Sequence, residues 1–304
     1  MSAERVLFAE APAKINRELR VGALRDDGFH EIRSRLVSID LADTIQVAAG
    51  GRGVELSCDG IPVPGGDSNL VAVAARALAE RLGRPADVRI RLTKRIPVGA
   101  GLGGGSSDAA RTLALLAKLW ESAITPADLS QLAAGIGSDV PYFLVGGEAE
   151  VSGRGEIVAP IPDSPSVELT LLVPPFSIST GAVYAAFERA PEKGDRHLPP
   201  SLEVQSSGKF FGPNDLAFSV LRERAEMSVL VDYARSLASE SAITGSGCTI
   251  VLRGASPDAA ARIASRYPEA RLQACRTLSR AEYRLRTESS GGSQWRSLRS
   301  RSSP

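Results

Sequence analysis

Apolar positions along the chain follow two periods, and the switches between them lay out the elements. Val88, Ile90 and Leu92 alternate with arginines, the period of a strand with one buried face. Apolar runs in 5–22, 32–41, 44–48 and 54–58 predict further strands, the first held extended by Pro12 among small residues. Asp26-Asp27-Gly28 is a turn signal ahead of Phe29 and His30. From Leu70 the period changes. Leu70, Val73, Ala74, Ala77 and Leu78 share one helical face, closed by Gly83. Ala109, Leu113, Leu116 and Trp120 make a second such face. Thr125-Pro126 starts a third helix, carried by 128–134, with Thr at the N-cap and Pro in the first turn.

Prolines at 160, 162 and 165 mark a boundary. Beyond it, 167–173 is a strong strand, 242–252 a glycine-interrupted strand region and 271–275 a last strand. Stretches 180–188, 214–224, 228–239 and 257–265 read as helices, and the polar stretch 191–208 as a surface loop. The expected class is α+β, with domains at 1–162 and 163–286. The Ser-, Gly- and Arg-rich tail, 287–304, is expected to be disordered.

Composition narrows the function classes. The 304 residues carry 36 Lys+Arg against 35 Asp+Glu, a net charge of +1, so there is no global basic footprint for nucleic acid and no polybasic patch for a membrane surface. No apolar run approaches the roughly 18 residues that a membrane helix needs. The first residues lack a signal-peptide core, and 3 distant cysteines make no disulfide framework, so a reducing cytoplasm is expected. With 2 histidines and no CxxC, a structural zinc site is not expected. The sequence carries no signal for oligomeric state.

Glycine is the informative residue. Gly99, Gly101, Gly103, Gly104 and Gly105 fall within 7 positions, directly before an amphipathic helix. Each glycine costs about 0.5–1 kcal/mol in chain entropy where another residue would fit, so such density suggests that side chains must be absent. A phosphate cradle at a helix N-terminus has that need; a flexible linker would not run into a patterned helix. No Lys follows the last Gly, which excludes the GxxxxGK[ST] loop. Gly99, Gly101 and Gly104 match GxGxxG literally, but Glu121 ends a helix where the dinucleotide fold needs an acidic strand end.

The stretch Pro97-Val98-Gly99-Ala100-Gly101-Leu102-Gly103-Gly104-Gly105-Ser106-Ser107 resembles the second motif of the GHMP kinases. Ala11-Pro12-Ala13-Lys14-Ile15-Asn16 is similar to the first motif, and Thr244-Gly245-Ser246-Gly247 to the third. Asp27-Gly28-Phe29-His30-Glu31, Gly137-Ser138-Asp139-Val140-Pro141-Tyr142-Phe143 and Asn214-Asp215-Leu216 resemble stretches of the branch that phosphorylates 4-diphosphocytidyl-2-C-methyl-D-erythritol. The matches run in order over roughly 7–285. The resemblance implies the GHMP kinase fold: a domain like ribosomal protein S5 domain 2, then a ferredoxin-like domain, with the site between them. It implies transfer of the ATP γ-phosphoryl group, with Mg²⁺, to the 2-hydroxyl of that small-molecule alcohol in the non-mevalonate route to isoprenoids.

The resemblance also assigns roles. Asp139 is the implied base, against its plainer reading as a turn aspartate. Lys14, one of 5 lysines among 36 basic residues, is implied to orient and polarise the acceptor hydroxyl; its plainer reading is a solvated surface lysine. Pro97 to Ser107 would cradle the ATP phosphates, and Asn69 and Lys94 would line the adenine pocket, with a solvated Lys94 as the alternative. On the acceptor side Asn16 would lie near the reacting end and Phe29, in place of the family's Tyr, would stack on the cytosine. His30 would read the base edge, and Tyr184 would cover the other base face or else be core. Gly245 and Ser246 would brace the loop, or mark a strand bulge. Alternatives to this reading are a mevalonate- or homoserine-type kinase, or a non-catalytic RNA-binding protein built on the S5-like domain.

Overall fold

A computed structural model describes residues 5–63, 65–189, 198 and 209–292. The loop expected at 191–208, apart from Leu198, and residues 293–304 lie outside the described residues. The fold opens with β1 (Val6–Leu24) and β2 (His30–Ala49), paired antiparallel across the turn at Gly28, whose φ is +81°. The two strands expected at 32–41 and 44–48 are one. The polar break at Asp43 is buried, and its carboxylate accepts from the Arg95 and Ile96 amides, so it does not end the pairing.

There follow β3 (Val54–Gly60), α1 (Leu70–Arg81), β4 (Val88–Lys94), α2 (Gly104–Leu119), α3 (Pro126–Ile136), α4 (Tyr142–Val145), β5 (Glu148–Ser152) and β6 (Ile157–Pro160). β2 is long enough to serve two neighbours on its second edge: its end, 44–49, pairs with β4 and its first half, at 34–37, with β5. Burial alternates along β4, as the Val88-Ile90-Leu92 spacing predicts. Both α1 and α2 lay their apolar faces on this sheet, with Leu78, Leu113 and Leu116 fully buried among Ile45, Val47 and Ile90.

The second sheet is built from β7 (Glu168–Val173), α5 (Thr180–Glu188), α6 (Ala217–Glu223), α7 (Glu226–Arg235), β8 (Glu240–Ile243), β9 (Ile250–Arg253), α8 (Pro257–Arg266) and β10 (Arg271–Arg276). Its order is β10-β7-β9-β8, all antiparallel, which is the βαββαβ ferredoxin-like arrangement. β7 is apolar on both faces because both are covered. Leu172 packs towards the helices, while Leu169, Leu171 and Val173 pack against Ala13, Ile15 and Ile39 of the first sheet. That shared apolar layer fixes one sheet on the other.

The C-terminal end departs from expectation. α9 (Arg280–Thr287) starts at a capping box, Ser279 with Glu282, and returns to the first unit, where Tyr283 donates to the Phe143 carbonyl at 2.6 Å. β11 (Ser290–Gly292) then pairs with Val6–Phe8. The expected second domain therefore gives its last stretch to the first, and the expected disorder does not begin at 287. The pairing of β11 with β1 uses backbone groups alone, so it needs no side-chain pattern in the segment that joins.

Candidate active site

The glycine loop becomes helix earlier than the apolar pattern implied. α2 begins at Gly104, its N-cap is Gly103 in the left-handed region (φ +70°), and no side chain caps it. The first amides of a helix have no helical acceptor, and here they open onto a cleft of about 480 Å³. The walls of that cleft include Asn69, Lys94, every residue from Pro97 to Ser106, Lys14, Asp139 and Ser246. Ser107 is the exception: it is buried and its hydroxyl donates to the Pro12 carbonyl at 2.7 Å. That bond ties α2 to β1.

Most of the loop glycines are explained by protein atoms. A Cβ at Gly101 would lie 2.7 Å from the Gly247 Cα and 2.8 Å from the Thr244 carbonyl. At Gly103 it would lie 2.7 Å from the Phe143 ring and 3.1 Å from Lys14 Cγ, and at Gly104 2.8 Å from Lys94 Nζ. Only Gly105 meets nothing closer than 3.4 Å. The loop is pressed between β1, α4 and the turn from the second sheet, and this close packing is what excludes side chains. The 244–247 segment is a tight turn between β8 and β9, with the Gly247 amide donating to the Thr244 carbonyl, and not a strand bulge. Asn214 donates to the Gly245 carbonyl at 2.8 Å, and Thr249 donates to the Ala100 carbonyl at 2.7 Å.

Lys14 and Asn16 lie two residues apart on β1, between register shifts at Pro12/Lys14 and Asn16/Glu18 that re-aim the strand. Lys14 is buried, not a solvated surface lysine. Its Nζ donates to Asn16 Oδ1 at 2.7 Å and stands 3.7 Å from Asp139 Oδ2. Asn16 is itself held: its amide donates to Thr244 Oγ1 at 2.9 Å, and its side-chain nitrogen to Ser34 Oγ at 2.8 Å. Asp139 sits in the turn between α3 and α4. The buried pair Tyr142 and Phe143 anchors that turn, with the Tyr142 hydroxyl donating to the Gly147 carbonyl at 2.8 Å. The chain thus brings a buried ammonium and a half-exposed carboxylate together at the end of the glycine loop.

Lys94 is likewise not at the surface. Its Nζ is fully enclosed, 2.7 Å from Asp108 Oδ2 and in close contact with Asp43 Oδ2. Burial opposes its charge, yet Asp108 and Asp43 outweigh that and raise its pKa. Lys94 therefore reaches the cleft as part of a buried ion cluster. Asn69 caps α1 by accepting from the Val71 amide at 3.0 Å.

The residues expected to hold a base lie beside this cleft. Phe29 is half-exposed, with the Arg154 guanidinium 4.8 Å from its ring centre. Arg154 also donates to the Ala134 carbonyl at 2.8 Å. The Arg154 guanidinium thus covers one face of Phe29. Sequence reading passed over Arg154, one arginine among many. Tyr184 is partly buried and stacks on His30 at 5.5 Å and 20°. Burial, and then Asp139, push its phenol up to about 12. His30 is buried, with Nδ1 3.1 Å from the Gly22 carbonyl and Nε2 3.1 Å from Glu188 Oε1. Among the described residues no cluster of three His, Cys, Asp or Glu is arranged to hold a metal, and no helix is long and apolar enough to cross a membrane.

Comparison with known proteins places the chain in a family. Residues 69–147 match the GHMP kinases N-terminal domain. The chain is 37% identical over 277 residues to the 4-diphosphocytidyl-2-C-methyl-D-erythritol kinase of Moorella thermoacetica, covering 87% of this chain and 97% of that one. It is 38% identical over 303 residues to the protein of the same name from Anaeromyxobacter sp., covering 97% and 96%. A crystal structure of 4-(cytidine 5'-diphospho)-2C-methyl-D-erythritol kinase superposes with a TM-score of 0.73 at 34% identity, over 89% of this chain and 98% of that one. A homoserine kinase from Cytophaga hutchinsonii shares the fold, with a TM-score of 0.63 at 16% identity, over 92% and 96%. The chain belongs to the 4-diphosphocytidyl-2-C-methyl-D-erythritol kinase family of the GHMP kinases.

Proposed function

We propose that the chain transfers the γ-phosphoryl group of ATP to the 2-hydroxyl of 4-diphosphocytidyl-2-C-methyl-D-erythritol. The observation that carries this reading is the Lys14–Asp139 pair, 3.7 Å apart, on the wall of the same cleft as the open start of α2. Asp139 accepts the hydroxyl proton as the oxygen attacks the γ-phosphorus and the bond to the departing ADP oxygen breaks. Lys14, its ammonium directed by Asn16, lies against the incoming oxygen and the developing charge. Amides at the start of α2 take phosphate oxygens, with the helix dipole in support. Enclosure in a narrow cleft supplies orientation, which is the larger part of phosphoryl-transfer catalysis.

Phe29 offers an exposed face to the cytosine, and Tyr184 approaches from α5. Arg154, held over the Phe29 ring, is the cation for the acceptor's diphosphate. Mg²⁺ would enter with the nucleotide and neutralise phosphate charge. With no three-ligand cluster among the described residues, its ligands would be mainly phosphate oxygens and water.

The test is release of ADP by the purified chain with 4-diphosphocytidyl-2-C-methyl-D-erythritol, mevalonate or homoserine as acceptor. Turnover with the first alone is expected. Turnover with either of the others in its place, or with none, overturns the reading.

A further inference from the structure

Two hydroxyl groups hold Asn16, and they decide which way its carboxamide faces. The pairing of β1 with β2 slips by one residue between Asn16 and Glu18, so Ser34 on β2 stands diagonal to Asn16 across the two strands. Ser34 is fully buried, and its hydroxyl donates to the Glu18 carbonyl at 2.5 Å. A carbonyl oxygen only accepts, so the single Ser34 proton is committed there. Towards Asn16 the Ser34 oxygen can then only accept, and it does so from Nδ2 at 2.8 Å. This leaves Oδ1 for the Lys14 ammonium, 2.7 Å away. From the other side, Thr244 Oγ1 accepts from the Asn16 amide at 2.9 Å and donates to Oδ1 at 3.4 Å. A reversed carboxamide would turn Nδ2 towards the ammonium, where two donors would meet, and Oδ1 towards a Ser34 oxygen with no proton to give.

We propose that Ser34 is a positioning residue for phosphoryl transfer. By accepting from Asn16 it fixes the carboxamide with its oxygen towards Lys14, and so holds the ammonium in place 3.7 Å from Asp139. Ser34 lies outside the wall of the cleft and acts through Asn16 and Lys14. This rests on the role of Lys14 proposed above.

The test uses the whole chain, with kcat and KM measured for ATP and for 4-diphosphocytidyl-2-C-methyl-D-erythritol. Ser34→Ala leaves Nδ2 without its acceptor and frees the carboxamide to turn. Its kcat is expected to fall about tenfold, the size of one buried hydrogen bond, with KM for ATP within about twofold. Ser34→Thr keeps the hydroxyl and should return kcat to within about threefold of the unsubstituted chain. In a Lys14→Ala background, Ser34→Ala should cost less than about twofold more, because the residue it acts through is gone. A general distortion of the site would cost the same in both backgrounds. Ser34→Cys, close to serine in size but only a weak acceptor, reads the same loss where the alanine variant does not fold. A folded Ser34→Ala or Ser34→Cys enzyme with unchanged kcat, or an equal loss in both backgrounds, overturns this proposal alone. Absence of turnover by the unsubstituted chain overturns the acceptor assignment and this proposal with it.

Discussion

Substituting Gly247 by alanine isolates the contact that joins the two halves of the cleft. The glycine loop and the 244–247 turn meet backbone to backbone. A Cβ on Gly247 would lie 2.5 Å from both the Ala100 carbonyl oxygen and the Gly101 nitrogen, and in contact with the Gly101 Cα. Ordinary contact begins at 3.4 Å, so the two elements must part by about 1 Å. None of the three opposing atoms belongs to a side chain that could swing aside. A misplacement of about 1 Å can cost ~10²-fold in rate when it separates reacting groups. The loop carries the amides proposed to bind phosphate and the turn holds Asn16, which donates to Thr244 and accepts from Lys14, so the separation acts on both. Steady-state assay of Gly247→Ala should show kcat/KM for ATP reduced about 10²-fold, with the near-ultraviolet circular dichroism of a folded protein. Gly83→Ala is the control. Gly83 has φ +61° with nothing within 4 Å of its added Cβ, so strain of about 1–2 kcal/mol lowers stability while turnover stays intact. A Gly247→Ala enzyme within threefold of the unsubstituted one would refute the reasoning.

Further outcomes follow from the same geometry. Lys14→Ala and Asp139→Asn should each cut kcat by ~10²-fold or more in folded protein, checked by single-turnover assay; near-normal rates would remove them from the chemistry. Phe29→Ala should raise KM for the cytidylyl acceptor far more than KM for ATP, and equal effects would count against a base platform. Lys94→Met removes one partner of a buried ion cluster and should cost about 3–5 kcal/mol in urea unfolding, whereas a solvated lysine would cost next to nothing. The Ser279 amide and hydroxyl, with Arg276, hold the Glu282 carboxyl at about 2, below its ordinary 4.5. Its contribution is therefore full at neutral pH and is lost as pH falls from about 4.5 to about 2. Glu282→Gln should flatten that part of the stability curve, and an unchanged curve would discount the capping box.

The legible parts of the fold were those written in one local stretch. The α1 and α2 faces, the β4 alternation and the Thr125-Pro126 start all depend on neighbours within a few residues. So does the glycine cluster, although its cause proved to be mainly close packing. What stayed hidden depends on distant partners. Asp43 looked like a break between strands because its ligands, Lys94 and the amides at 95 and 96, lie about 50 positions away. A solvated Lys94 stood open as an alternative for the same reason, since Asp43, one of its two carboxylate partners, is equally distant in sequence. β11 joins the sheet through backbone groups, which leave no side-chain pattern. The Ser279/Glu282 box is local and was readable, but the polar, arginine-rich stretch around it masked a helix that buries one large residue, Tyr283. Arg154 carries no motif; only its place over Phe29 singles it out.

The central claim is the transfer of phosphate to one particular hydroxyl, and the product's ³¹P spectrum reads it directly. The carbon bearing the 2-hydroxyl also bears the methyl group and no hydrogen. After reaction with ATP, the account predicts a new phosphomonoester resonance without splitting by a proton on the adjoining carbon, alongside the intact diphosphate of the cytidylyl group. A phosphomonoester split by neighbouring protons, or ADP formed with no new ester, would contradict it.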